Sequence, residues 1–336
     1  MNQQAKSEVK LMLRILSGVQ PSGKLHLGNY FGAVKQHIAL QNEGLCFYFI
    51  ADYHALTTIQ DAQMLRDNTR DVALDYLALG LDPDKCIFFR QSDVPEVTEL
   101  AWILGTVTNV GLLERAVSYK EKIEKGIEAS VGLFTYPVLM AADILIYRSN
   151  VVPVGKDQVQ HIEMTQDMAG KFNRAYGEVF PIPDYRLDKE SKVIGTDGQK
   201  MSKSYGNTIE IFAEGKPLRK TVMGIVTDSK QVADPKDPER CNVFALYSLF
   251  ATDEERTGMA ERYRAGGMGY AVAKEALLEK INAHFEPARQ RRKELVEKPD
   301  YVEDVLKKGA QRARAEAQQT MTQVREAVGL KAKSVG

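Results

Sequence analysis

Two short strings in this chain carry residue types suited to handling polyphosphate. The first runs Lys24-Leu25-His26-Leu27-Gly28-Asn29, just after Ser17-Gly18-Val19-Gln20-Pro21-Ser22-Gly23, and the second is Lys200-Met201-Ser202-Lys203-Ser204. In the first, a short apolar run (Ile15, Leu16) meets a Gly/Pro/Ser turn and an amphipathic stretch from Leu27 to Leu40 follows, which predicts strand, tight turn and helix. A helix start offers unpaired backbone N–H groups and the positive end of its dipole to a phosphate, and His26 and Asn29 add side-chain donors. In the second, Lys200 and Lys203 lie three apart after the Gly/Asp-rich Gly195-Thr196-Asp197-Gly198-Gln199, which predicts a mobile loop. Lysines on such a loop can close on a phosphoryl group as charge develops there.

Between them lies Thr135-Tyr136-Pro137-Val138-Leu139-Met140-Ala141-Ala142-Asp143-Ile144-Leu145-Ile146-Tyr147. On a helix, Tyr136, Met140, Asp143 and Tyr147 share one face. A carboxylate in so apolar a helix must be satisfied, because an isolated buried charge is very costly. Asp143 either pairs within the protein or accepts a hydrogen bond from a ligand. An indole N–H, one donor and no acceptor, suits it, with Met140 sulfur against the ring. A phenol hydroxyl donates equally well, so this chemistry does not separate the two rings.

The elements that must hold these residues alternate over the first two hundred positions. Leu45 to Asp52 is a nearly continuous apolar run, as in a strand buried on both faces, and a helical pattern from Ala62 to Leu79 ends at Gly80. Ile87-Phe88-Phe89 and Val151-Val152-Pro153-Val154-Gly155 read as further strands. This alternation predicts an α/β domain: a Rossmann-like, doubly wound parallel sheet with helices on both faces and ligands beyond the carboxyl ends of its strands. Ser17 to Gly28, His54 and Gly155 to Gln158 all follow predicted strands and converge there. From Ala213 strand runs vanish, and a 3.6-residue rhythm through Val302, Val305, Leu306, Ala310, Ala313, Ala317, Met321, Val324 and Val328 predicts a long final helix. The expected division is residues 1–212, an α/β catalytic domain, and residues 213–336, an all-helical domain.

Composition sets outer bounds. The 336 residues are 44% hydrophobic and 27% charged, with 45 Lys+Arg against 45 Asp+Glu, so net charge announces no polyanion partner. Basic residues do cluster late in the chain (Arg289, Arg291, Arg292, Lys293; Lys307, Lys308, Arg312, Arg314), a pattern that fits a solvated helix face better than a nucleic-acid surface. The three cysteines are scattered without metal-ligand spacing, so no metal site is expected from them. The polar opening does not read as a secretion signal and no apolar run approaches membrane-spanning length, which together predict a cytoplasmic protein without a membrane anchor.

The strings Gln20-Pro21-Ser22-Gly23, His26 to Tyr30, Leu139 to Leu145, Val152-Pro153-Val154-Gly155-Lys156-Asp157-Gln158 with His161, and Lys200 to Ser204 resemble, in order and spacing, the bacterial tryptophanyl-tRNA synthetases among the class I aminoacyl-tRNA synthetases. The resemblance covers about the first 210 residues and continues more loosely beyond. It implies ATP-dependent attachment of L-tryptophan to tRNA(Trp) through an adenylate, with Mg²⁺ bound alongside ATP and a homodimeric assembly whose helical domain reads the anticodon. It implies that His26, Asn29, Lys122, Lys200 and Lys203 act on the phosphates. ATP would lie on Gln20, Pro21, Ser22, Gly28, Asn29, Gly155, Lys156, Asp157, Val193, Lys200, Met201, Ser202, Lys203 and Ser204. Tryptophan would lie on Asp143, Tyr136, Met140, His54, Val152, Val154 and Gln158. Three positions depart from the family pattern: Lys156 stands where relatives often have Glu, Leu16 replaces an aromatic, and the segment before Lys200 is Gly-rich. A tyrosyl enzyme of the same fold, a same-fold nucleotidyltransferase and a catalytically silent sensor of tRNA or amino acid are the competing readings. The nucleotidyltransferase is disfavoured because it needs neither the full lysine loop nor a helical domain of over a hundred residues, and the sensor because His26, Lys200 and Lys203 all stand.

Overall fold

The computed structural model describes residues 13–117, 119–120, 130–187 and 193–330. Five parallel strands form one sheet, β1 (Arg14–Val19), β2 (Leu45–Ile50), β3 (Cys86–Arg90), β4 (Val151–Val154) and β5 (Asp184–Leu187), in the order β3-β2-β1-β4-β5. Ile15 lies opposite both Cys46 of β2 and Val151 of β4. The chain therefore winds outward from β1 in one direction through β3, then returns to β1's other side for β4 and β5. Its direction reverses between β1 and β4, and at such a switch point the loops leaving the carboxyl ends diverge and open a crevice.

Thirteen helices surround or follow the sheet among the described residues. They are α1 (Leu27–Asn29), α2 (Lys35–Leu40), α3 (Asp52–Ala55), α4 (Ala62–Ala78), α5 (Glu96–Val107), α6 (Val110–Glu114), α7 (Val131–Ile146), α8 (Val159–Tyr176), α9 (Gly215–Met223), α10 (Asn242–Ser248), α11 (Asp253–Ala265), α12 (Tyr270–Val296) and α13 (Pro299–Ala327). Successive strand residues point to opposite faces, and both faces are apolar here, as a sheet covered on two sides requires. Ile15, Cys46, Tyr48, Ile50, Cys86 and Phe88 face a core shared with α4 and with the helices from α9 onward. Leu16, Phe47, Phe49, Ile87 and Phe89 face α5, α7, α8 and α13.

Three features depart from the sequence reading. The helix expected over 27–40 is broken by a π-helical turn, Tyr30–Val34, which turns Tyr30 and Phe31 toward Phe250, His284 and Phe285. Tyr30 Oη lies 2.8 Å from His284 Nε2, so the first signature string is packed directly on the helical region. Strand β5 lacks an apolar run because it is a half-exposed edge, paired only to β4. The last helix, α13, returns to the sheet. A Cβ on Gly309 would lie 1.8 Å from Phe88 O, so only glycine allows this helix and β3 to touch backbone to backbone, and Ala310, Ala313 and Ala317 keep the approach close.

The late basic residues are mostly consumed in holding these layers together. Arg292 pairs with Asp71 and Asp75 at 2.7 and 2.6 Å, Arg291 donates to Ala78 O at 3.1 Å and Lys293 pairs with Glu214 at 2.9 Å. Arg289 is buried and donates to Ile211 O, Arg312 donates to Pro83 O and Cys86 O, and Arg314 pairs with Glu96. These are neither a solvated face nor a free phosphate-binding stripe; they join α12 and α13 to α4, α5 and the sheet. Among the described residues, Lys307 and Lys308 alone of the two clusters stand exposed without such a bond. No helix among the described residues is long and apolar enough to cross a membrane.

Candidate active site

His26 caps α1 in a reciprocal arrangement. Its Nδ1 accepts from Asn29 N–H at 3.4 Å, while Asn29 Oδ1 accepts from His26 N–H at 3.1 Å. Such a box is worth about 1 kcal/mol and, more usefully here, it fixes the imidazole. With Nδ1 accepting, the ring proton resides on Nε2, which is left to donate. Burial, reinforced by the nearby Lys203 charge, lowers the His26 pKa to about 4, so the ring is neutral at pH 7. The backbone donors of this helix start are less free than the sequence suggested. Leu27 N–H is bound to Ile209 O at 3.0 Å, and only Gly28 N–H, facing the weak acceptor Met201 Sδ at 3.3 Å, remains within easy reach of an anion. A Cβ at Gly28 would lie 2.9 Å from the imidazole, so glycine is needed for the ring to hold this position.

The second string sits against the first. Ile194 and Lys200 form an antiparallel bridge around a turn, and Met201 N–H donates to Val193 O. Asn207, 2% exposed, ties the loop from within: its Oδ1 accepts from Ser202 N–H at 2.8 Å and its Nδ2 donates to Asp197 and to Lys200 O. Residues 207–213 then run back along the first string, with Leu27 N–H to Ile209 O and Ile211 N–H to Leu25 O. Lys203 Nζ donates to Ser22 O at 3.0 Å, and desolvation of its ammonium draws its pKa below the usual lysine value. The two strings, far apart in sequence, thus share one rim, on which Lys200, Lys203 and Ser204 remain exposed. The loop expected to be mobile is seated through Asn207 and one lysine bond.

Below the rim, at the switch point, lies a cavity of about 410 Å³ lined by Gln20, His54, Tyr136, Met140, Asp143, Val152, Val154, Gly155 and Gln158 together with Leu16, Gly18 and Phe49. Every residue named from sequence for the amino-acid pocket is on this wall. Tyr147 is not: it turns into the core and stacks on Phe47 at 4.8 Å. Lys156 lies in the short 3-10 turn Lys156–Gln158, off the cavity wall, and Asp157 belongs to the same turn. Lys122 lies outside the described residues.

Asp143 is 3% exposed and fully engaged on its protein side. His54 Nε2 donates to Oδ2 at 2.9 Å, and Gln91 Nε2 reaches Oδ1 and Oδ2 at 2.8 and 3.0 Å. Burial pushes the Asp143 carboxyl above the usual range, and the His54 and Gln91 bonds pull it back. Tyr136 Oη is hydrogen-bonded to His161 Nε2. Sequence reasoning missed Gln91 and Asn207. Gln91 sits between Arg90 and Ser92 at the end of β3, and only its position at a strand's carboxyl end could have drawn notice; Asn207 follows Gly206 like any turn residue. Among the described residues no group of three or more His, Cys, Asp or Glu side chains is placed to hold a metal ion.

The arrangement combines a neutral imidazole N–H and two lysines around one rim with an apolar slot ending in a buried acceptor. Residues 9–286 match the model of the family described as tRNA synthetases class I (W and Y). The tryptophan--tRNA ligase of Rhodopirellula baltica is 55% identical over 320 residues, which are 95% of this chain and 100% of that protein. The tryptophanyl-tRNA synthetase of Campylobacter jejuni, solved with ADP and tryptophan, superposes with a TM-score of 0.90 at 50% identity, covering 94% of this chain and 100% of that one. The Mycoplasma pneumoniae enzyme superposes with a TM-score of 0.80 at 29% identity, covering 97% and 100%.

Proposed function

Since the chain belongs to the class I tRNA synthetases of the tryptophan and tyrosine branch, we propose that it attaches L-tryptophan to tRNA(Trp) through a tryptophanyl-adenylate. The observation that carries this reading is the buried Asp143 acceptor on a largely apolar cavity whose wall also holds Gln20, two residues from the Ser22 carbonyl to which Lys203 donates. The tryptophan ring lies between Met140, Val152, Val154 and His54, its N–H on Asp143, with Tyr136 and Gln158 holding the amino and carboxyl end. ATP enters as its Mg²⁺ complex and spans the rim: phosphates on Gln20, Pro21, Ser22, Gly28 and Asn29, ribose at Gly155, Lys156 and Asp157, adenine along Val193 and Met201.

The tryptophan carboxylate attacks the α-phosphorus in line. A bond forms from the carboxylate oxygen to phosphorus, the bond to the β-phosphate bridging oxygen breaks, and pyrophosphate leaves with that electron pair. No covalent enzyme intermediate is needed, so positioning and charge stabilisation supply the acceleration. His26 donates from Nε2, and Lys200 and Lys203, with Ser202 and Ser204 beside them, meet the charge gathering on the leaving group. Lys122 joins them. Lys203 must release Ser22 O to do so, exchanging a neutral acceptor for an anionic one. The terminal 2′-hydroxyl of the tRNA then attacks the adenylate carbonyl and AMP departs.

Residues 1–212 carry this chemistry and residues 213–336 read the anticodon, with α13 also serving the sheet. The protein works in the cytoplasm, in keeping with three free, buried cysteines. It works as a homodimer through the groove between α5 and α7, an apolar cavity of about 570 Å³ lined by Ala101, Val138 and Leu139, where Trp102 is 76% and Val131 79% exposed. The same helix α7 carries Tyr136, Met140 and Asp143 on its other side. Sedimentation velocity at micromolar concentration should give a dimer, and Trp102→Glu a monomer; a wild-type monomer sinks the assignment of this face.

Amino-acid-dependent ATP–pyrophosphate exchange tests the activity. Exchange with tryptophan and not with tyrosine is the expected result. Exchange with tyrosine alone would overturn the specificity, and exchange with neither would overturn the enzyme.

A further inference from the structure

Asp143 cannot set specificity unless something sets Asp143. An ionised carboxylate has about four acceptor positions. Gln91 Nε2 occupies one on each oxygen and His54 Nε2 occupies a third, which leaves a single position for the cavity that Asp143 lines. Gln91 is 2% exposed and stands behind Asp143, not itself on the cavity wall. Its own orientation is fixed, because Oε1 accepts from Tyr53 N–H at 3.1 Å; a reversed amide would set its carbonyl against the carboxylate and its NH₂ against an N–H. The strand end that carries it is fixed in turn by Asp52, whose Oδ1 accepts from Ser92 N–H at 3.0 Å and Tyr53 N–H at 3.1 Å and whose Oδ2 accepts from Ser92 Oγ. A relay of hydrogen bonds, buried at Asp52, Gln91 and Asp143 and half-buried at Ser92 and Tyr53, therefore runs from Asp52 to Asp143.

We infer that Gln91 is a specificity-determining positioning residue. By occupying both Asp143 oxygens from behind, it keeps Asp143 an acceptor only, with its remaining acceptor position turned to the ring N–H of tryptophan. This rests on the proposed tryptophan reading and goes beyond it, since Gln91 itself does not contact the ligand. A ring without a donor leaves that position empty in a dry site, which is where the largest discrimination arises. Without Gln91 the carboxyl is free to swing or to take up a proton, and either change reduces the difference between rings with and without an N–H.

The test compares tryptophan with 3-(benzothien-3-yl)-alanine, in which sulfur replaces the ring N–H, in ATP–pyrophosphate exchange by the wild-type protein and by Gln91→Met, a substitution of similar length without the donor. In the wild type the analogue should lose about a hundredfold or more in kcat/KM. In Gln91→Met the KM for tryptophan should rise about tenfold or more, the KM for ATP should stay within twofold, and the analogue penalty should shrink at least about tenfold. A penalty equal in the two proteins overturns the role of Gln91 even if the variant is less stable, because general loosening affects both substrates alike. Ser92→Ala, which weakens the relay one step back, should reduce the penalty in the same direction by less. A wild type that uses both amino acids equally overturns the Asp143 reading itself, and this arm separates the two failures.

Discussion

On the rim shared by the two signature strings, Lys203 reaches Ser22 O through one bond of an exposed side chain, while on the wall of the central cavity Asp143 is 3% exposed and receives hydrogen bonds from two buried neighbours. The two regions answer different demands. Groups that stabilise charge appearing only during reaction must be able to arrive, so their ground-state bonds are few and exchangeable. A group that tells one ring from another must not move, because a buried carboxylate that can rotate or protonate accepts the wrong ligand. His26 stands between the two: held by its cap with Asn29, yet with Nε2 left to donate.

Substitutions should separate these regions cleanly. The largest effect is expected for Lys203→Ala, which should lower kcat for pyrophosphate exchange by about 10²–10³-fold, as loss of a transition-state donor does, with tryptophan affinity by equilibrium dialysis unchanged. A matching loss of tryptophan binding would show that rim and cavity wall are one unit. Gly28→Ala should come next. Its Cβ must push the His26 ring from the cap, costing about 1 kcal/mol of stability, with an activity loss of about tenfold carried by kcat rather than by the KM for tryptophan. An unchanged kcat would mean that the ring turns aside without consequence.

The smallest effect is on pH dependence. Burial lowers both His26, at the rim, and His37, in the core beneath it, to about 4. A folded-state pKa below the ordinary 6.5 means that the unfolded chain binds the proton more readily. The stability that each ring contributes is complete above pH 6.5 and is lost as pH falls toward 4. Melting temperature should thus be flat from pH 8 to 6.5 and decline below. In Lys203→Ala the His26 titration should move upward while that of His37 stays, as read from imidazole NMR, because Lys203 lowers only the former. Equal movement of both would break the contrast between an electrostatically tuned rim and a merely buried core.

Much of this was legible before any coordinates. An aspartate within Met140-Ala141-Ala142-Asp143-Ile144 must be satisfied by a partner, within the protein or on a ligand, and an apolar run such as Phe47-Tyr48-Phe49-Ile50 fits a doubly covered strand. Those signals are local in sequence. What escaped is set by contacts that sequence spacing does not encode. Gln91 matters only because the end of β3 meets α7, and Asn207 only because the loop folds around it. Arg289, Arg291, Arg292 and Lys293 read from sequence as a solvated helix face or a nucleic-acid surface, until their partners Ile211, Ala78, Asp71, Asp75 and Glu214 arrive from elsewhere in the chain. Strand β5 escaped because an edge needs no apolar run.

The seat of Gly309 on Phe88 also has a temporal side. Helix α13 is the final described helix, yet it covers β3, a strand made long before it. At about 5–20 residues per second, the ribosome delivers that cover roughly ten to forty seconds after the strand. For that interval the face of the sheet carrying Ile87 and Phe89 has α5, α7 and α8 on it but lacks the part of its cover that α13 supplies. The order of translation therefore makes the packing of α13 on β3 a late event relative to the strands, and a ribosome that stalls before α13 would leave a chain with both signature strings already made but that contact still open to solvent.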